Sequence, residues 1–160
     1  MHIKAEAMMI YLMQHGEALS KDEDPERPLT DRGTKDAENL ARMLHSAGVE
    51  IDDIVDSGKL RARQTAEALA RALSPESGPQ EMEGLGATDP VEPIAEQAAG
   101  WTRHVAIVGH MPFVARFVGT LVNGDAERSP VAFVPGTMVA LQYEEDGWQI
   151  AWMLRPGLLR

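Results

Sequence analysis

Two histidines in matching surroundings are the residues of this sequence best suited to chemistry. His15 follows a short apolar run at residues 8–13, and His110 follows another at residues 105–108. Short, fully apolar runs are typical of buried strands, so the pattern predicts a histidine beyond the carboxyl end of each strand. An imidazole there can act as a nucleophile or a proton carrier. Either histidine alone is more often a structural residue, and the prediction depends on the pair.

Arginines at one predicted helix start supply the charge that an anion site needs. Arg61 and Arg63 fall in the first turn of that helix, where backbone N–H groups and the helix dipole favour an anion. A guanidinium stays charged and binds phosphate through two parallel hydrogen bonds. The same spacing is compatible with a solvated helix face. Combined with the two histidines, it indicates a phosphate-handling site.

The elements that must position these residues alternate along the chain. Strands are predicted at residues 8–13, 51–56 and 105–108. Three helices are predicted. The first follows a Thr30 N-cap and has one apolar face formed by Ala37, Leu40, Ala41 and Leu44. The second has one face marked by Leu60, Ala66, Leu69 and Leu73, and the third extends from Pro112 to about Val122. This alternation predicts an α/β fold, a three-layer α/β/α sandwich with a mostly parallel central sheet. Ligands bind beyond the carboxyl strand ends of such sheets, so we expect His15 and His110 near one crevice.

Turn-forming residues mark the remaining segments. Residues 17–27 are predicted to form a loop. Residues 76–100 are rich in Gly, Pro and Glu, and they are predicted to form a loop that contains a short helix near residues 91–98. The second of these resembles a lid or an insertion. Residues 137–143 and 148–154, joined by the acidic turn 144–147, predict a closing hairpin.

Size and charge limit the functions that the chain can have. Its 160 residues suit one domain spanning residues 1–160, with residues 1–7 expected to form a disordered extension. The 15 basic and 25 acidic residues give a formal charge of −10, which disfavours a nucleic-acid partner. A phosphate ligand would therefore require local positive charge.

The sequence contains no cysteine and no long apolar run, and these two absences exclude several kinds of site and of protein. No cysteine is present, which excludes a disulfide framework, a thiolate zinc site and a cysteine nucleophile. No apolar run is long enough for a membrane span, and the N-terminal run lacks a signal-peptide cleavage site. We expect a protein without membrane attachment, located in the cytoplasm, with no metal ion and no cofactor.

Four collinear motifs resemble those of one family. They are Gln14-His15-Gly16-Glu17-Ala18, Arg27-Pro28-Leu29-Thr30 with Gly33, Arg61-Ala62-Arg63-Gln64-Thr65-Ala66, and Val108-Gly109-His110-Met111-Pro112. Their order and spacing resemble the histidine phosphatase (phosphoglycerate mutase-like) superfamily, and most closely its short branch, the SixA-type phosphohistidine phosphatases. The resemblance spans nearly the whole chain.

The resemblance implies a role for each motif residue. His15 matches the histidine that is phosphorylated as the nucleophile, and Arg61 and His110 match the phosphate-binding arginine and second histidine. Arg27 matches an arginine that lines the pocket in the short branch. At Gln14, also expected to bind phosphate, the family has arginine. In other phosphoryl-transfer enzymes a transition-state arginine contributes roughly 10³–10⁵ in rate, so Arg27, Arg63 or another cation would have to compensate.

The family's larger members use a carboxylate as general acid, and this sequence offers two candidates. Glu83 is the first and Asp89 the second, both in the 76–100 segment. A phosphohistidine leaves as imidazole and needs an enzyme acid less than an alkyl phosphate does. The remaining histidines, His2, His45 and His104, are interpreted as structural or surface residues.

The leading hypothesis is a metal-independent phosphatase that hydrolyses protein phosphohistidine through a phospho-His15 intermediate. The partner would be a phosphohistidine-bearing protein such as a histidine phosphotransfer domain. Two alternatives stay open at this point. One is a phosphatase acting on a small phosphate ester, and the other is a phosphate- or phosphoprotein-binding module weakened in catalysis by Gln14.

Overall fold

A six-stranded sheet with helices on both faces organises the computed structural model, which describes residues 7–160. The strands are β1 (Met9–Gln14), β2 (Asp53–Asp56), β3 (Pro79–Glu81), β4 (Val105–Gly109), β5 (Met138–Glu144) and β6 (Gly147–Leu154). The helices are α1 (Asp31–Ser46), α2 (Leu60–Leu73), α3 (Glu92–Ala98) and α4 (Phe113–Asn123), followed by a 3-10 turn at Pro156–Leu158.

The strand order is β3-β2-β4-β1-β5-β6. β1, β4, β2 and β3 pair in parallel, whereas β5 is antiparallel to both β1 and β6. The predicted α/β fold with a mostly parallel sheet is confirmed. In the β1–β4 register Gln14 lies opposite Gly109, so the two central strands end at the same level.

Alternate residues of the central strands enter two separate cores. Ile10 and Leu12 pack with Phe113 and Phe117 of α4 on one face. The residues between them, such as Met13, pack with α1 and α2 on the other. This period-two division is what a strand buried on both faces requires, and it confirms the predicted three layers.

The helix predictions are confirmed for α1 and partly wrong for α2. The Thr30 side chain accepts a hydrogen bond from the Gly33 N–H at 3.0 Å, and the four apolar positions predicted for α1 are buried. In α2, however, Leu60 is exposed, and the buried face consists of Ala62, Thr65, Ala66, Ala68 and Leu69. Leu60 opens the helix at the sheet's carboxyl edge, where it borders a cleft instead of the core.

The 76–100 segment is part of the fold and not a lid. The short helix predicted there is present as α3, but β3 was missed. Its residues Pro79, Gln80 and Glu81 contain no apolar run, and their strand conformation comes from pairing with β2 at the edge of the sheet. Buried Leu85, Val91, Ile94 and Ala98 fasten the rest of the segment to the core.

A hairpin at the end of the sheet completes the fold. The predicted hairpin is present as β5 and β6, and Glu145 and Asp146 form its turn with φ values of 47° and 74°. Of the predicted extension, residues 1–6, including His2, lie outside the described residues, and Ala7 precedes β1 without regular structure. Across residues 7–160, no helix combines the length and apolarity that crossing a bilayer requires. The interpretation of residues 1–160 as a single domain stays a prediction.

Substitution of Gly33 in α1 tests how closely the loop after β1, which contains Glu17, packs on this helix. A Cβ at this position would lie 2.1 Å from the Glu17 carbonyl oxygen, so Gly33→Ala must push the loop away. We expect it to lower the free energy of unfolding by about 2 kcal/mol, as overpacking commonly does. Exposed Gly157, where an added Cβ would meet no atom within 4 Å, is the control. Equal stability of Gly33→Ala and Gly157→Ala in urea denaturation would contradict this packing.

Candidate active site

His15 and His110 come together at the carboxyl edge of the sheet. They directly follow the paired residues Gln14 and Gly109, and the His15 N–H donates to the Gly109 carbonyl at 2.9 Å. Their ring centroids lie 5.1 Å apart. Both side chains are buried. The two histidines therefore lie close together at this edge, as expected from the two strand ends.

The tautomer of His15 is fixed by its two ring contacts. Nδ1 lies 2.7 Å from the carbonyl oxygen of Gly16, so Nδ1 carries the proton and donates it. Arg61 Nε donates to His15 Nε2 at 3.3 Å, which requires a lone pair on Nε2. The unprotonated nitrogen therefore faces a cation that can hold a phosphoryl oxygen.

Burial keeps the His15 imidazole uncharged. Desolvation lowers its pKa from 6.5 to about 4, the Gly16 hydrogen bond opposes this, and Arg61 and Arg27 lower it further. At neutral pH nearly every molecule therefore has the nucleophilic form of His15.

The loop that contains Gly16 is fastened to α2. The Gly16 N–H donates to Thr65 Oγ1 at 3.0 Å, and that hydroxyl donates to the Arg61 carbonyl at 2.8 Å. Gln64 Oε1 accepts from the Leu29 N–H at 2.8 Å. No separate role for Thr65 was predicted from the sequence, although its position one helical turn after Arg61 is the signal that could have revealed it.

Arg27 and Arg61 form the positive side of the site. Both border a cleft of about 580 Å³, together with Lys59, and no residue of the 76–100 segment lines it. Burial and then the charge of Arg27 lower the pKa of Arg61. The backbone of Arg27 has φ of 50°, and its Nε donates to the Leu19 carbonyl at 3.0 Å. A positive φ is unfavourable for residues other than glycine, and such residues are often found at binding sites.

Arg63, one of the cations expected to compensate for Gln14, is engaged elsewhere. Its Nε lies 3.3 Å from Asp56 Oδ2, and its Nη1 donates to the Pro79 carbonyl at 2.8 Å. Arg63 therefore fastens β3 beside β2 and neutralises a buried carboxylate. The interpretation of Arg63 as a substitute for the family arginine is wrong, because its side chain points away from the cleft toward β3.

His110 has a partner that the sequence did not reveal. Its Nε2 lies 2.6 Å from Ser57 Oγ, just beyond the end of β2. Burial, then His15, Arg61, Lys59 and Arg27, lower the pKa of His110 from 6.5 to about 4. The ring is therefore neutral at pH 7 and does not act as a protonated donor in the free site.

Two buried polar atoms in the site have no hydrogen-bond partner within residues 7–160. They are His110 Nδ1 and Gln14 Oε1. By strand alternation Gln14 lies on the same sheet face as Ile10 and Leu12, under α4. It brings hydrogen-bonding groups and no charge to the family's arginine position.

The two candidate acids differ in their availability. Asp89 Oδ2 accepts from the Gly86 N–H at 2.8 Å and so serves the turn that contains it. Glu83 is exposed in the turn after β3. Its role as general acid stays a prediction.

The remaining histidines and acidic groups do not extend the site. His104 Nδ1 accepts from the Met9 N–H at 3.1 Å, and His45 is exposed near the end of α1. Residues 7–160 contain no group of three or more metal-ligating side chains.

Comparison with known proteins assigns the chain to a family. The family model described as the histidine phosphatase superfamily (branch 1) matches residues 10–89, half of the 160 residues. The chain belongs to the histidine phosphatase superfamily. The predictions of this superfamily, of its phosphoglycerate mutase-like fold and of a phosphatase are thereby confirmed.

Individual known proteins match across most of the chain. Phosphohistidine phosphatase SixA of Escherichia coli (strain K12) is 27% identical over 159 residues, covering 96% of this chain and 97% of SixA. An uncharacterised protein of Picosynechococcus sp. is 32% identical over 125 residues, covering 73% of this chain and 74% of that protein. The structure of the protein histidine phosphatase SixA complexed with tungstate matches with a TM-score of 0.85 and 26% identity, covering 96% of this chain and 100% of that one.

The two depressed histidine pKa values predict how stability depends on pH. Because the unfolded chain binds protons near pH 6.5 and the folded site only near pH 4, the stabilisation is complete above pH 6.5 and is lost as pH falls toward 4. We expect His110→Gln to weaken this dependence in urea denaturation from pH 7 to 4.5. Exposed His45→Gln should leave it unchanged. The same slope in His110→Gln and wild type would contradict the account.

Proposed function

We propose that this superfamily member is a phosphohistidine phosphatase that hydrolyses protein phosphohistidine through a phospho-His15 intermediate. The observation that carries the proposal is the geometry of His15, whose Nδ1 donates to the Gly16 carbonyl while Nε2 faces Arg61. The similarity to SixA over 96% of the chain supports the substrate class.

In the first step the Nε2 lone pair of His15 attacks phosphorus in line with the leaving group. The N–P bond of the substrate breaks, and the leaving imidazole nitrogen takes up a proton from solvent. In the second step water attacks phosphorus and the N–P bond to His15 breaks. Phosphate leaves with the hydroxyl group of that water, the other proton returns to solvent, and the neutral imidazole is restored. The Nδ1 hydrogen bond to Gly16 stabilises the positive charge that the ring develops in between.

The surrounding side chains stabilise charge on the phosphoryl oxygens. Arg61 already contacts the attacking nitrogen, so it is within reach of an oxygen once phosphorus arrives. Arg27 lies on the same cleft, and we propose that His110 and Gln14 add hydrogen bonds. Fixed donors aimed at the equatorial oxygens are the main requirement of phosphoryl transfer.

The open cleft favours a protein substrate over a small ester. Its lining comes from residues 20–27 and 58–61, and the 76–100 segment belongs to the core and does not cover it. A protein-borne phosphohistidine, for example on a histidine phosphotransfer domain, can approach such a cleft directly. Its imidazole leaving group also places a small demand on Glu83, the remaining candidate acid.

Substitution of His15 tests this function. We expect wild type to release phosphate from a phosphorylated histidine phosphotransfer protein, and His15→Ala to lose nearly all of that release while still folding. A panel of small phosphate esters, run in parallel, distinguishes the alternative substrate class. No release by wild type, or equal release by His15→Ala, would contradict the proposal.

Gln14 motivates the second candidate function, a phosphate-binding module with little turnover. If the remaining pocket is intact, Gln14→Arg should raise kcat/KM by about tenfold, because one charge-assisted hydrogen bond contributes on that scale. Gln149→Arg, at an exposed position on β6, adds the same charge far from the cleft and should change nothing. An unchanged or lower rate in Gln14→Arg would show that the glutamine suits a different geometry or ligand.

A further inference from the structure

Lys59 stands at the point where β2 leads into α2, close to His110. Its backbone N–H donates to Ser57 Oγ at 3.4 Å, and the same hydroxyl lies 2.6 Å from His110 Nε2. Two residues later comes Arg61, which contacts His15. Lys59 is exposed and lines the cleft with Arg61 and Arg27.

The ammonium of Lys59 is available to a ligand. Within residues 7–160, no carboxylate lies at ion-pair distance from it, whereas Arg63 is paired with Asp56. The charge of Lys59 also reaches the site, since it helps to lower the pKa of His110.

The position of Lys59 is unfavourable for the helix itself. It is the N-cap of α2, where its side chain makes no capping hydrogen bond, and the first turn of α2 contains no acidic residue. A cation near a helix N-terminus opposes the helix dipole. α1, by contrast, begins with the capping Thr30 and acidic Asp31. Helix stability therefore does not explain a lysine at position 59, whereas an anion in the cleft does.

We infer that Lys59 is a catalytic residue whose ammonium contacts the phosphoryl group and supplies the positive charge that Gln14 lacks. An ammonium is a compact charge on a flexible four-carbon stem, so Lys59 can reach across the cleft mouth to an oxygen that Arg61 and Arg27 leave free. The site then obtains its additional positive charge from Lys59 at the start of α2, and not from residue 14 at the end of β1.

Binding of inorganic phosphate tests the contact without any need for turnover. We expect Lys59→Met to weaken phosphate binding about tenfold in calorimetry, and Lys59→Arg to stay within about threefold of wild type, because charge and not length is decisive. Lys35→Met removes the same charge from an exposed site on α1 and should have no effect. Urea denaturation should show that Lys59→Met is at least as stable as wild type. Equal phosphate affinity in Lys59→Met and Lys35→Met would overturn the inference.

A double-mutant cycle with Gln14→Arg tests whether the two positions share one task. Lys59→Met should lower kcat/KM by about 10- to 100-fold, and Gln14→Arg should raise kcat/KM at least several-fold more in the Lys59→Met background than in wild type. The same factor in both backgrounds would show independent roles and overturn the inference. The kinetic part rests on the proposed function. A wild type that releases no phosphate would refute that function, while the binding comparison would still decide the role of Lys59.

Discussion

The parallel pairing of β1 with β4 is the constraint on which the site depends. Opposed Gln14 and Gly109 bring both strands to an end at the same level, and the His15 N–H continues the pairing by donating to the Gly109 carbonyl. Because each strand is buried on both faces, a shift of one residue would exchange every side chain between the two cores. The same packing that specifies the register therefore specifies how closely the two imidazoles approach.

The protonation of His15 and His110 depends more on burial than on the net charge of the whole protein. The chain has a formal charge of −10, yet Arg27, Lys59 and Arg61 border one cleft. Burial lowers the pKa of both imidazoles to about 4, so neither adds to the positive charge before a ligand arrives. The free site thus avoids further repulsion among its cations and keeps His15 as a neutral nucleophile. This arrangement costs stability in acid, where both rings would prefer to be charged.

Periodicity predicted the parts of the fold that are regular over several turns or strand residues. Both central strands, α1 and the hairpin have clear patterns of apolar residues. β3 could not be predicted, because Pro79, Gln80 and Glu81 become a strand only through β2. His15 and His110 could be predicted as site residues because each follows a strand with a clear apolar pattern and belongs to a sequence motif. Ser57 and Lys59 have no local signal, since their roles depend on the approach of β2 to β4.

Chemical identification of the phosphorylated atom shows whether Nε2 of His15 is the nucleophile. Wild-type protein is mixed with a phosphohistidine donor and quenched rapidly in alkali, and the labelled residue is located by mass spectrometry and its isomer by phosphorus NMR. Because Nδ1 of His15 donates to the Gly16 carbonyl, we expect a transient phosphoryl group on His15 Nε2. A label on Nδ1 of His15, or on His110 or Ser57 in its place, would contradict it.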